Sequence, residues 1–393
     1  MYFVYFVYFC QQFRDIPRLS DKAENRDTFS AVPAAISIFY VFSENDMMKR
    51  LISLLRIWKL PVSMLTGVLL YYLLKALLPA GGNAERTFYS VVSHFLQPSL
   101  IFVMLLLSFL RVDVRDLKPH RWHIILLAVQ SSLFVLSSVV ALLIPPTTVG
   151  WRLMAEGAML CFICPTGTAS AVIVQKLGGS VSGDVTYIVL CNMMVSLLAP
   201  AFLTLVEPHA GLGFMTEFFM IMGKVFPLLL FPLLVSFVIR HYAPRLLERL
   251  LSVPDLAFYL WLVALALAIT VTVRTIAESD IALVHLVGLA VVSALCCVAQ
   301  FRVGRCVGRR WKQPTKPLSE LPPSALYPNG YVDAAERSAI TAGQAMGQKN
   351  TVFAIWMGLV FLNPVTSVVG GFYSIWHNLI NSWQLYKKAK AAK

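Results

Sequence analysis

The sequence predicts an all-α polytopic membrane protein: ten transmembrane helices in two inverted five-helix repeats, with helices 4 and 9 discontinuous. Three observations predict it. Of 393 residues, 58% are hydrophobic and 13% charged, where a soluble domain carries about 25% charged residues. Apolar stretches of bilayer-spanning length, about 20 residues, recur along the chain. Two of these stretches are interrupted, at Cys164–Ser170 and Thr341–Thr351. Paired interruptions, one in each half of a chain, are the best sequence pointer to a transporter's binding site.

Residues 1–46 differ from the rest of the chain. Met1–Phe9 is short and aromatic with no basic region before it, a poor signal peptide. The apolar run Phe29–Phe42 is too short to span comfortably. This extension reads as an over-extended start or a mobile tail, with an interfacial helix at 29–42 as the alternative. Ten spans come after it, at 56–78, 89–110, 122–144, 151–177, 183–206, 212–240, 253–273, 282–303, 335–362 and 364–386. Residues 47–206 hold the first five and 207–393 the second five. An odd number per half turns the second half upside down, and the interrupted segment is the fourth of each half.

Basic residues support this count. One set of loops carries Lys49, Arg50, Arg56 and Lys59, then Arg111, Arg115, Lys118 and Arg121, and later Lys176, Arg240, Arg245 and Arg249. The 302–337 connection and the Lys-rich tail belong to the same side, whereas opposite loops offer Arg86, Arg152 and Arg274. That bias puts both ends in the cytoplasm, in an inner or plasma membrane, with Gln313–Pro328 as a cytoplasmic loop. The net charge of +13 is thus topological and implies no nucleic-acid partner. Most of the seven cysteines lie in apolar segments, so they suggest neither a disulfide framework nor a metal site.

In the first interruption, Pro165 removes a backbone donor and Gly167 relieves the turn. Thr168 and Ser170 add hydroxyls. Together they read as half of a solute or ion site, or as small-residue helix packing. In the second, Gly343 and Gly347 let the helix unwind. Gln344 and Gln348 share a helix face, and Lys349, Asn350 and Thr351 follow. Lys349 falls near mid-membrane, too deep to snorkel, where a charge costs about 3 kcal/mol unless paired or hydrated. Gln130 lies mid-span and is either an interhelical bond or a ligand. Asp184 opens the fifth span, where a helix N-terminus suits a carboxylate. Asn192 is helix–helix glue or a substrate contact. His377 and Asn378 sit late in the last span, near the cytoplasmic face.

The pieces C-P-T-G-T-A-S (Cys164–Ser170), L-L-A-P-A-F-L (Leu197–Leu203), G-Q-A-M-G-Q-K-N-T (Gly343–Thr351) and Y-S-I-W-H-N-L-I-N-S (Tyr373–Ser382) together resemble the bile acid:sodium symporter family over about 51–386. The resemblance implies a panel domain of helices 1, 2, 6 and 7. It implies a core domain of helices 3–5 and 8–10, with helices 4 and 9 crossing where they unwind. It also implies sodium-driven uptake of an organic anion. One of the family's sodium sites carries over as Gln130 and Gln348, but its shared glutamate is Gln344 here and the asparagine after Gln348 is Lys349. The other site falls on Ser170, Ala171, Asp184 and Ile188, so it has lost most of its ligands. Replacing a carboxylate by an ammonium about 4 Å from a cation costs roughly 4 kcal/mol at an effective dielectric of 20.

The expectation is therefore a secondary transporter of a small organic anion (bile-acid-like, keto acid or pantoate-like). Lys349 stands in for the cation or pairs with Asp184, and proton coupling is an alternative to weakened sodium coupling. The rivals are a cation/proton antiporter using Asp184 and Lys349, and a conventional sodium:organic anion symporter. The spans show no H-E-x-x-H and no paired aspartates, so no enzyme is expected, and neither is a resident cofactor or metal.

Overall fold

A computed structural model describes residues 59–79, 81–112, 114–145, 147–207, 213–253, 256–279, 281–311 and 334–391. The extension 1–46 and the loop 313–328 lie outside the described residues, as do the expectations attached to them. From Ser63 onward the chain forms one compact unit. Its helices are α1 (Lys59–Leu77), α2 (Asn83–Leu110), α3 (Arg121–Leu143), α4 (Val149–Ile163), α5 (Ala169–Leu177), α6 (Val181–Val206), α7 (Phe214–Tyr242), α8 (Pro244–Ser252), α9 (Leu256–Glu278), α10 (Leu283–Arg310), α11 (Ala334–Gly347), α12 (Thr351–Phe361) and α13 (Val368–Ala391).

Six of these, α2, α3, α6, α7, α9 and α10, are long and apolar enough to cross a membrane. Their exposed faces carry Leu136, Phe219, Val263 and Leu295, whereas Gln130, Asp184, Asn192, Gln300 and Gln348 are completely buried. Apolar outside and polar inside is the inverse of a soluble protein and marks an integral membrane protein, whose solvent is lipid. α13 is long enough at 24 residues but carries His377, Asn378 and Asn381 on its buried side.

Local irregularities have local causes. α2 contains a π-helical turn at Val92–Leu96, just before Pro98, whose ring cannot sit under the carbonyl four residues earlier. The last carbonyls of α2 are completed by Arg240 of α7, whose Nη2 donates to Leu110 (2.7 Å) and Val112 (2.9 Å).

The closest helix pair is α10 with α11, and glycines make it so. A Cβ on Gly304 would collide with the Ala342 carbonyl, and one on Gly308 with the Ser338 carbonyl. On the facing helix a Cβ on Gly343 would lie 2.6 Å from Arg305 Cγ, and one on Gly347 would strike the Phe301 ring. α11 runs regularly through Gly343 and ends at Gly347, where the break begins, and both glycines also permit close packing in the manner of G-x-x-x-G pairs. The ion pair Arg305–Glu336, with Arg309–Glu336 at 3.1 Å, ties the same two helices at one end.

Gly304→Leu is expected to destabilise the protein by about 1–3 kcal/mol or more through overpacking. A lowered unfolding midpoint in mild detergent checks this, with Gly223→Leu, where nothing lies within 4 Å of a Cβ, as the control that leaves it unchanged.

Candidate functional site

Four helix ends meet where the two interrupted segments cross. The break after α4 is set by Pro165. The residue before a proline is pushed out of the helical region, and Cys164 has φ −53° and ψ 128°. The break after α11 spans Gln348 and Lys349, and Asn350 then caps α12 by accepting from Phe353 N (3.2 Å). Taking 1.5 Å per residue, α11 and α12 run about 21 and about 16 Å to either side of the break.

The two breaks pair with each other. Thr166 and Lys349 form an antiparallel bridge, with Gly167 N donating to the Gln348 carbonyl and Asn350 N to the Pro165 carbonyl, both at 2.8 Å. A Cβ on Gly167 would lie 2.8 Å from the Lys349 carbonyl oxygen, so the crossing requires glycine there. Side chains complete the remaining carbonyls. Thr166 Oγ1 donates to Ala345 (2.6 Å), Tyr373 OH to Gly347 (2.7 Å) and Cys164 Sγ to Asn350 (2.9 Å). Gln130 Nε2 reaches the Cys164 carbonyl (3.4 Å), and Gln300 Nε2 that of Cys161 (3.3 Å). Each glutamine is coupled to a tyrosine: Tyr187 OH donates to Gln130 Oε1 (2.8 Å), and Gln300 Nε2 to Tyr373 OH (3.2 Å).

Gln344 and Gln348 do share a face. Gln344 Nε2 donates to Asn381 Oδ1 and Gln384 Oε1, both at 3.0 Å, and Asn381 Nδ2 donates to Gln348 Oε1 (3.1 Å). Lys349 turns the other way, as neighbours on extended backbone do. It is 3% exposed, and its Nζ has no hydrogen-bond partner. The thiols of Cys191, Cys164, Cys161 and Cys297 lie within electrostatic range of it. Cys191 also touches Gln130 (3.5 Å). Cys161 and Cys164 stand at C-x-x-C spacing, a pattern that sequence reasoning missed, yet no cluster of three metal-ligating side chains exists among the described residues.

Other expectations are corrected. Asp184 and Lys349 make no ion pair. Asp184 is fully buried instead of solvated; its Oδ1 accepts from Ser170 Oγ (2.8 Å) and its Oδ2 has no partner. Asn350 uses its side-chain oxygen as a cap. Asn192 Nδ2 donates to the Leu229 carbonyl of α7 (3.4 Å), leaving its Oδ1 unpaired. Thr168 and Thr351 are buried, and Thr351 Oγ1 is unpaired. His377 lies about 14 Å along α13, nearer its middle than its end, edge-on to Tyr373 at 5.7 Å. None of the six residues assigned to substrate lines either of the two clefts at the end of the bundle.

Sequence reasoning also missed Tyr187, Gln300, Tyr373 and Asn381, whose partners lie on other helices. A further omission is Glu156, 1% exposed in α4, which accepts from Arg152 Nε (3.0 Å) and Thr366 Oγ1 (2.8 Å). A carboxylate inside an apolar span was a usable signal. Neither a family model nor a curated protein matches the chain.

A lone buried ammonium costs stability. Lys349→Met is therefore expected to raise the unfolding midpoint, by up to about 3 kcal/mol. A drop in thermal stability would instead mean that the ammonium has a stabilising partner.

Proposed function

We propose that the chain is a secondary active transporter of a small organic anion. In this reading it has ten spans in two inverted repeats and works by alternating access, with Lys349 supplying the positive charge that the bile acid:sodium symporter family draws from sodium. The observation that carries it is the unpartnered Nζ of Lys349, buried on a backbone crossing of two interrupted helices.

The ten spans are the six long apolar helices together with α1, α4 continued by α5, α11 continued by α12, and α13. The interrupted ones are then fourth in each half. The Gln130–Tyr187 pair joins spans 3 and 5, and the Gln300–Tyr373 pair joins spans 8 and 10, the correspondence an inverted repeat requires. α1, α2, α7 and α9 form the panel and the remaining spans the core. Both termini face the cytoplasm, in an inner or plasma membrane.

Charge at the crossing favours an anion. α5 and α12 point their N-termini at it, each worth about half a positive charge, and Lys349 adds a whole one. The carbonyl-rich ends of α4 and α11, which could ligate a cation, already accept from Gln130, Gln300, Thr166 and Tyr373. Sodium at Gln130 would have to displace the Tyr187 hydroxyl beside an ammonium. The antiporter alternative needs an Asp184–Lys349 pair, and Asp184 is hydrogen-bonded to Ser170 instead.

Uptake of cholate, pantoate and 2-oxoisovalerate into proteoliposomes tests this. At least one is expected to accumulate at similar rates in sodium and in potassium, and Lys349→Gln is expected to lower that rate at least about tenfold, the loss of roughly 1.4 kcal/mol. Steep sodium dependence would return the protein to conventional symport and remove the role given to Lys349.

A further inference from the structure

Between α7 and α9 the chain forms α8, P-R-L-L-E-R-L-L-S (Pro244–Ser252). Proline at its first position has no N–H to leave unpaired, and Ser252 Oγ closes the other end by donating to the Arg249 carbonyl (2.8 Å). At 3.6 residues per turn, Arg245, Glu248, Arg249 and Ser252 fill an arc of about 100°, and the four leucines fill an arc of about 140° opposite them. The helix therefore separates two environments along its whole length.

The protein uses the leucine arc only in part. α8 packs on α7 and α2, with Leu250 buried and Leu246 and Leu247 half-buried, but Leu251 is 42% exposed and Val253 is exposed beside it. Tyr242, the last residue of α7, is 77% exposed. In a membrane protein such apolar residues face lipid, and a tyrosine at the end of a span belongs to the interface. Arg245 and Arg249 are exposed on the opposite arc. Arg240 Nη2 of α7 holds the carbonyls of Leu110 and Val112, so the exposed Arg111 between them joins the same surface. These three arginines outweigh Glu248, the one carboxylate of α8. A helix with leucines on one side and arginines on the other lies in the plane of the membrane surface, its apolar side sunk about 5–10 Å into the boundary between headgroups and acyl chains.

We propose that α8 and Arg111 form a docking surface for anionic phospholipid. Headgroup phosphates are held by Arg111, Arg245 and Arg249, and acyl chains lie along Leu251, Val253 and Tyr242. Charge complementarity selects an anionic headgroup over a zwitterionic one, and the open apolar side selects a lipid over a free phosphate. The surface is separate from the helix crossing and needs no transported solute; only the leaflet it meets rests on the topology proposed above.

The test is thermal unfolding of the full-length protein in a neutral detergent, titrated with dioleoylphosphatidylglycerol, dioleoylphosphatidylcholine or glycerol phosphate. Phosphatidylglycerol is expected to raise the midpoint further than either of the others. Arg245→Gln and Arg249→Gln should each weaken that response about fivefold, the worth of one arginine at an anionic surface. Arg245→Lys should keep it, which separates lost charge from misfolding, and Glu248→Gln should strengthen it. Lys390→Gln, which removes an exposed positive charge near the end of α13, should change nothing. Equal stabilisation by phosphatidylcholine or by glycerol phosphate would overturn the proposal. So would an equal loss in Lys390→Gln, because that makes the effect one of net charge. A phosphatidylglycerol response with the expected variant pattern, but with no uptake in proteoliposomes, leaves this surface standing and removes the transport reading.

Discussion

Everything at the centre of this protein depends on two broken helices satisfying one another. A helix that stops in hydrocarbon strands the N–H and C=O groups of its last turns, and each unpaired group costs several kcal/mol where no water can replace the partner. Here the Thr166–Lys349 bridge returns two of those bonds directly, and donors from α3, α10 and α13 take the carbonyls left over. Pro165 helps by having no N–H to satisfy. Neither break has such partners alone, so the two half-helix pairs form a unit that must assemble together. This explains why Gly167 must lack a side chain: the backbones meet with no room between them.

The same geometry sorts polar groups into two kinds. Gln348 and Lys349 are adjacent, yet extended backbone sends them to opposite sides. Gln348 joins a carboxamide network with Gln344 and Asn381, whose members have good mutual partners. Lys349 enters a setting of thiols, which are weak acceptors. A structural lysine would have been given a carboxylate. Asp184 was available and is hydrogen-bonded to Ser170 instead. Two buried ionisable groups kept apart cost the folded protein stability.

The breaks were legible in the sequence because their causes are local. Pro165 in an apolar run and three polar residues between Gly347 and Thr351 are anomalous wherever they occur. What a glycine does was not legible. Gly343 and Gly347 look like points of unwinding, but their packing is decided by Phe301 and Arg305, some forty residues earlier, on the facing helix. Likewise Tyr187 and Tyr373 are ordinary aromatic residues until their hydroxyls are seen beside Gln130 and Gln300. Ser170 and Asp184, placed in one site by the resemblance, meet through a hydrogen bond, whereas Asp184 and Lys349, suggested as a pair, form no ion pair. Pairing depends on helix rotation, which spacing alone does not determine.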